Sequence, residues 1–332
     1  MTGNPSRQKV LVFRELPPDQ LARLQSQHDI TVANPRVREQ LPVFNAALAT
    51  ADGMIGSSYP IDAALLAHAP CLKVISTISV GVDNYDLPAL AARGVVLCHT
   101  PGVLTETTAD TIFSLIMATS RRLVELANHV REGRWTRNIS EDLFGWDVHG
   151  KTLGILGFGR IGQALARRAA LGFGMPVLYH KRHPLDLAKE LPELLGKVLH
   201  APLDELLQRA DIVAVVLPLS GETHGLMGAR EFGLMKSGAI FVNGARGAVV
   251  QESALLHALD HGTLRAAGLD VFATEPLPLD SPLRTHPKVI ALPHIGSATF
   301  ETRHAMAVLA TTNLLQALAG ERPAAVYAMP EV

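Results

Sequence analysis

Three residues of different chemistry each follow a short apolar run in the second half of the chain: Arg246 in NGARG, Glu275 in DVFATEP and His294 in PHIG. In open α/β sheets ligands bind beyond the carboxyl ends of the strands, so side chains in such places are the first to inspect for chemistry. A guanidinium offers a planar fork of donors to a carboxylate and an adjacent carbonyl oxygen. An imidazole titrates near neutrality and can pass a proton to a developing alkoxide. A carboxylate beside it would orient the ring and favour its protonated form. Singly, each has an ordinary reading: Arg246 as a surface ion pair, Glu275 as a loop carboxylate, His294 as a satisfied core histidine. Together at strand ends they supply two needs of carbonyl reduction, a proton source and a cation for the substrate; the third need is a fixed hydride donor.

A site for that donor is written upstream. Gly157-Phe158-Gly159-Arg160-Ile161-Gly162 follows the strand-like run KTLGIL and opens a helix-like run, 163–171. The first glycine permits the tight turn, the second lets the backbone approach a pyrophosphate, the third lets helix and strand pack closely, and the helix N-terminus offers N–H groups to the anion. About 20 residues on, an NAD site usually places an acid against the ribose hydroxyls. Here the stretch reads Tyr179-His180-Lys181-Arg182-His183. With no acid in it, Lys181 and Arg182 suit a 2′-phosphate, so NADP(H) is the preferred cofactor expected and NAD(H) a possible one; the competing reading is a solvated basic turn. His180 and His183 have no carboxylate or thiol near them in sequence and read as polar loop residues, so no metal is expected.

These residues need a frame to hold them. Short Val/Ile/Leu runs alternate with helix-like stretches, the pattern of βαβ units around a parallel sheet, so the fold class is α/β. Strands are expected at 9–13, 30–33, 53–57, 73–78 and 95–98, then at 152–156, 177–179, 212–217, 239–242, 267–271 and 289–292. Helix-like segments cover 18–25 and 87–92, a glycine- and proline-free run covers 106–131, and 299–319 turns helical again. This gives two doubly wound parallel-sheet domains, joined through the Gly/Trp-punctuated stretch 133–150. A chain of 332 residues is long enough for two such cores.

Composition excludes several partners. With 18% charged residues and a formal net charge of −1, no basic field draws nucleic acid or an anionic membrane surface. The start, MTGNPSRQKVLVF, has no apolar leader core, and no run of about 18 apolar residues occurs; a cytoplasmic protein is expected. Cys71 and Cys98 are too few for a disulfide framework and read as buried small hydrophobes in a reducing compartment.

The stretches ISVGVDNYDL, ETTADTIFSLIMATSRR, GWDVHGKTLGILGFGRIG, GFGMPVLYHKR, VNGARGAVV, AAGLDVFATEPL and PHIGSAT span nearly the whole chain. By them the sequence resembles the D-isomer-specific 2-hydroxyacid dehydrogenases, and within that family the reductases of glyoxylate, hydroxypyruvate and 2-ketogluconate. The resemblance implies a Rossmann coenzyme domain, 104–296, inserted in a flavodoxin-like substrate domain, 1–103 and 297–332. It implies Arg246, Glu275 and His294 as the catalytic trio, with His294 as proton donor, and Val80 and Gly81 as backbone donors to the substrate carboxylate. Around the cofactor it and the strand-end positions place Thr108, the loop Gly157 to Gly162, His180, Lys181, Arg182, Leu217, Pro218, Thr223, Gly244, Ala245, Arg246, Asp270, His294 and Gly296. The substrate implied is a small 2-keto acid, the product a 2-hydroxy acid. Formate dehydrogenases are similar but pair the histidine with Gln, and phosphite dehydrogenases carry Lys where Val80 stands; both departures argue against those substrates. Reduction of 2-keto-6-phosphogluconate, with Arg303 as a candidate extra cation by position, and a non-catalytic NAD(P)-sensing corepressor role are the alternatives. The resemblance also implies a homodimer through the coenzyme domain, with an arm from about 121–149 that carries Trp135 and Trp146; the other reading of these tryptophans is an interdomain plug.

Overall fold

The computed structural model describes residues 7–329; the reading of the first six residues as leaderless lies outside them. Two compact units divide the chain after Leu104 and after Ala298: one joins the described residues up to Leu104 with those from Thr299 on, the other is Thr105–Ala298. Every strand pairing within both sheets is parallel.

The first unit has β1 (Lys9–Val12), β2 (Asp29–Val32), β3 (Gly53–Gly56), β4 (Val74–Thr77) and β5 (Val96–Cys98), in the order β2-β1-β3-β4-β5. All residues of β3 and β4 are buried, because helices cover both faces. The helix Phe300–Leu318 returns to one of them: Ser76 donates to the Ala310 carbonyl at 2.7 Å, and a side chain at Gly53 would meet Leu314 at 3.0 Å. Its start is capped by Thr299, whose Oγ1 accepts from the Thr302 amide at 3.2 Å.

The second unit has β6 (Leu153–Leu156), β7 (Val177–His180), β8 (Val198–His200), β9 (Ile212–Val215), β10 (Ala239–Asn243), β11 (Leu264–Leu269) and β12 (Val289–Ala291), ordered β12-β11-β10-β9-β6-β7-β8. Alternation along each strand feeds two cores: Leu153 and Ile155 of β6 face one, Leu156 the other. The order reverses between β6 and β9, which opens the crevice where the glycine loop lies.

Three expectations are corrected. The run 106–131 is two helices, Thr105–Ser120 and Leu123–Arg131, because Arg122 takes a left-handed φ of 54° and its guanidinium donates to the Asp142 and Phe144 carbonyls at 2.6 and 3.2 Å, folding the following stretch back. The edge strand β8 has one buried residue in three and left no apolar pattern to read. Cys71 is exposed, in the turn after the helix Ala63–Ala67, whereas Cys98 is buried in β5. Among the described residues no helix is long and apolar enough to cross a membrane, and no group of His, Cys, Asp and Glu could hold a metal.

Candidate active site

The glycine loop is built by steric limits that differ at its three glycines. Gly157 turns the chain off β6 with φ 100°, and a Cβ there would stand 2.9 Å from the Val216 carbonyl. At Gly162 a Cβ would be 2.2 Å from the Gly157 oxygen, so the helix Arg160–Arg167 can lie on the loop only without one. Around Gly159 nothing lies within 4 Å of that position. The protein itself does not need the second glycine; the clear space is the kind a pyrophosphate occupies at a helix N-terminus, and the loop fits a dinucleotide on that ground. Arg160 is exposed and Ile161 half-buried in the first turn. Phe158 turns its ring inward onto Tyr179, centroids 3.9 Å apart, so only its backbone is left for a ligand.

Beyond β7, His180 is half-buried and its Nδ1 meets the Ala201 carbonyl at 3.2 Å. The Lys181 carbonyl accepts from His200 Nε2 at 3.0 Å. Arg182 pairs with Glu222 at 3.2 Å. The stretch 179–183 holds no acid of its own; Glu222 arrives from the loop after β9, a contact no local pattern announces. Both partners are more than two-thirds exposed, so the pair is worth at most about 1 kcal/mol and yields readily to a phosphate. In that same loop Pro218 is exposed, Leu217 is half-buried, and the Thr223 hydroxyl donates to the Pro218 carbonyl at 2.7 Å while accepting from the Ser220 amide at 2.8 Å. Thr223 thus folds the loop that carries Leu217 and Pro218.

After β10, buried Asn243 braces the turn from both sides: its Oδ1 accepts from the Ala245 amide and its Nδ2 donates to the Arg246 carbonyl, both at 3.0 Å. The Arg246 guanidinium donates to the Ala245 carbonyl at 2.8 Å. Gly244 faces Ile112 and Gly247 faces the Phe272 carbonyl carbon, at 2.5 and 1.8 Å from where a Cβ would stand, so the turn lies directly on the segment after β11. In that segment Asp270 is 2% exposed and accepts from the Ile295 and Gly296 amides at 2.7 and 2.9 Å. Burial pushes its carboxyl above the usual range, against the pull of those amides and of His294. Thr108, buried on Thr105–Ser120, packs 3.3 Å from the Cβ position of Gly296.

His294 Nδ1 stands 2.8 Å from Glu275 Oε2, while Glu275 Oε1 accepts from the Phe272 amide at 3.0 Å. His294 has φ 54°, a left-handed conformation for a residue with a side chain, held by the Asp270 bonds just beyond it. Burial would raise the Glu275 carboxyl, but the bonds from His294 and Phe272 and the charge of Arg246 outweigh it and hold it below its ordinary value.

In the first unit, Val80 and Gly81 follow β4 with their carbonyls tied back. His99 Nδ1 donates to the Val80 carbonyl at 3.2 Å, and Ser79 Oγ, itself 2.8 Å from Thr77 Oγ1, donates to the Gly81 carbonyl at 2.7 Å. Among the described residues neither the Val80 nor the Gly81 amide has an acceptor. His99, Asn243, His200 and Glu222 were not singled out from sequence; each acts through contacts that only the fold brings about.

A phosphate-loop sheet with a carboxylate–imidazole pair and an arginine at its strand ends defines a nicotinamide-dependent dehydrogenase. The model of the D-isomer specific 2-hydroxyacid dehydrogenase NAD binding domain matches residues 113–296. Glyoxylate/hydroxypyruvate reductase B of Klebsiella pneumoniae subsp. pneumoniae is 52% identical over 311 residues, 94% of this chain and 95% of that one. The Escherichia coli protein of the same name is 51% identical over 316 residues, with the same coverage. Among solved structures, the NADPH-dependent glyoxylate/hydroxypyruvate reductase from Sinorhizobium meliloti, in complex with NADP and malonate, superposes with TM-score 0.86 at 32% identity over 98% of each chain. A Thermus thermophilus protein gives TM-score 0.84 at 44% identity, covering 96% of this chain and 100% of that one. The chain belongs to the D-isomer specific 2-hydroxyacid dehydrogenase family and is an oxidoreductase with an NAD-binding domain.

The depressed Glu275 carboxyl has a consequence for stability. A carboxylate whose folded value lies below its ordinary 4.5 stabilises the protein above that pH, and the increment is lost as pH falls through the folded value. Glu275→Gln should therefore be less stable than the parent to urea near neutrality, with the two midpoints converging in acid. Midpoints that stay parallel down to acid pH would contradict the assignment.

Proposed function

We propose that the protein reduces a small 2-keto acid, of the glyoxylate and hydroxypyruvate kind, to the 2-hydroxy acid with NADPH. The observation that carries this is the 2.8 Å His294–Glu275 pair on the same sheet edge as Arg246. When bound, the nicotinamide supplies the hydride. A bond to the carboxylate makes Nδ1 the donor to Glu275 and leaves Nε2 to carry the proton for the new hydroxyl. Glu275 fixes the ring and stabilises its charged form. The Arg246 guanidinium, a planar fork of several N–H donors, holds the substrate carboxylate and polarises its carbonyl oxygen. For the carboxylate the proposal also uses the Val80 and Gly81 amides. The expected cofactor residues, from Thr108 and the glycine loop to Gly296, stand as part of the same proposal. His294→Ala should lower kcat on glyoxylate about 10²-fold or more, and near-parental turnover would remove His294 as proton donor.

The choice of NADPH rests on Lys181 and Arg182, the more so because the Sinorhizobium meliloti relative is NADPH-dependent. Replacing both by Ser should raise the KM for NADPH much more than that for NADH. Equal changes would contradict a 2′-phosphate role.

A cytoplasmic homodimer completes the proposal. Leu123, Val124 and Val130 of one helix, with Trp135, Ile139 and Phe144 beyond it, leave large apolar side chains exposed on the second unit. Trp146 is instead pinned under Arg265, 4.2 Å from its ring centroid, so the two tryptophans differ in role. Such a patch calls for a partner surface, and a second copy is the one proposed. Light scattering at micromolar protein should give twice the 35.6 kDa chain mass; a monomer would end this part of the reading.

A further inference from the structure

The first unit carries a second group of cations at its own sheet edge. The strand order reverses between β1 and β3, so the crevice of this doubly wound sheet lies at their carboxyl ends. Arg14 follows β1, Ser58 follows β3 and Arg36 follows β2. The three meet: Arg14 Nη1 donates to Ser58 Oγ at 3.2 Å, and Arg36 Nη2 donates to the Ser58 carbonyl. Ser58 itself is held at φ 60°, one of three such non-glycine residues among those described, His294 being another.

Neither guanidinium has a carboxylate partner among the described residues. That is unlike Arg122 with Glu125, Arg168 with Asp110 or Arg230 with Asp204. Two cations drawn to one residue without an acid between them repel each other, and an anion placed there would relieve the repulsion. Each guanidinium commits one nitrogen to Ser58 and has others to offer, in a geometry suited to the oxygens of a phosphate.

The position relative to the proposed carboxylate donors suits an anion at the far end of a longer substrate. Gly56 of β3 sits opposite Thr77 of β4, so Ser58 and the Val80–Gly81 amides extend from neighbouring strands about 5 Å apart, and β1 with Arg14 is about 10 Å from β4. A keto acid held by its carboxylate at Val80–Gly81 would direct the far end of a longer carbon chain toward the arginines. Glyoxylate is too short to reach them.

We infer that Arg14, Arg36 and Ser58 form a subsite for a terminal anion, a phosphate in preference to a carboxylate, on a longer-chain 2-keto acid. The inference rests on the proposed reduction of 2-keto acids and on the placement of the substrate carboxylate at Val80–Gly81. It makes these side chains determinants of substrate choice, outside the hydride and proton transfers.

The test is a kcat/KM panel with NADPH on four acids: glyoxylate, 2-ketogluconate with its neutral polyhydroxyl tail, 2-ketoglutarate with a terminal carboxylate, and 2-keto-6-phosphogluconate. Parent, Arg14→Gln, Arg36→Gln and the double variant are compared. The expected result is a kcat/KM ratio of phosphorylated acid to glyoxylate that falls tenfold or more in each single variant and further in the double, mainly through KM. The carboxylate-tailed ratio should fall less, and the neutral-tailed ratio least. A larger fall for the carboxylate tail reassigns the anion to a carboxylate and overturns the phosphate preference. Ratios that do not move, or a uniform loss on all four acids, overturn the subsite while leaving the reductase reading intact. Failure of the parent to turn over glyoxylate or any other acid of the panel overturns that reading, and the subsite with it.

Discussion

The buried carboxylate of Asp270 is the constraint on which the second unit's chemistry depends. It sits just past β11 and receives the amides of Ile295 and Gly296, just past β12, so one side chain joins two strand ends. A carboxylate this deeply buried is costly unless hydrogen bonds compensate it, and here the compensating donors are backbone groups of the loop that carries His294. Because those two amides must keep facing the carboxylate, His294 is kept in a left-handed conformation it would otherwise leave. The ring is then aimed at Glu275, and Glu275 is fixed in turn by the Phe272 amide. Strain at one residue is thus held by two amide bonds to a neighbour that lies outside the proposed proton transfer.

Close approach of backbones does the same work at the other loops. Gly247 brings the Arg246 turn onto the Phe272–Ala273 peptide, and Gly162 brings a helix onto the Gly157 carbonyl. Neither glycine has a positive φ; each is needed because no Cβ fits. Gly157 needs both freedoms, whereas Gly159 needs neither, which is why its small size is best explained by a ligand. A motif of three like residues therefore encodes three separate demands, and only the folded chain tells them apart.

What the sequence made legible follows from the range over which each signal acts. Apolar alternation is local, so the strands with buried faces were readable within a residue or two at most ends, as was the helix Pro18–Gln25. The family membership and the glycine loop were readable because their residues are contiguous. The placement of Arg246, Glu275 and His294 beyond strand ends was readable because each follows a local apolar run. The edge strand β8 was not, since a strand with one buried residue lacks alternation, and with it went His200. The break at Arg122 was hidden because its cause is a set of carbonyls about 20 residues downstream. Glu222, Asn243 and His99 escaped for a common reason: their partners are backbone atoms or side chains brought near by strand order, and composition carries no trace of that.

The two sheets share an architecture and differ in what their carboxyl edges leave available. At the edge of the second, the acids are already committed: Asp270 to two amides, Glu275 to a ring and an amide, Glu222 to an arginine. At the edge of the first, the carbonyls of Val80 and Gly81 are withdrawn by His99 and Ser79, and Arg14 and Arg36 meet at Ser58 with no acid between them. Both edges reach the same condition by different routes: negative groups are neutralised or turned away, and N–H donors are left for a ligand. That condition is what an anionic substrate and an anionic cofactor each require. In the first unit the carbonyl oxygens are tied back on the same edge that carries the two arginines, so a substitution at Ser79 or His99 would alter anion binding without changing the charge that Arg14 and Arg36 supply.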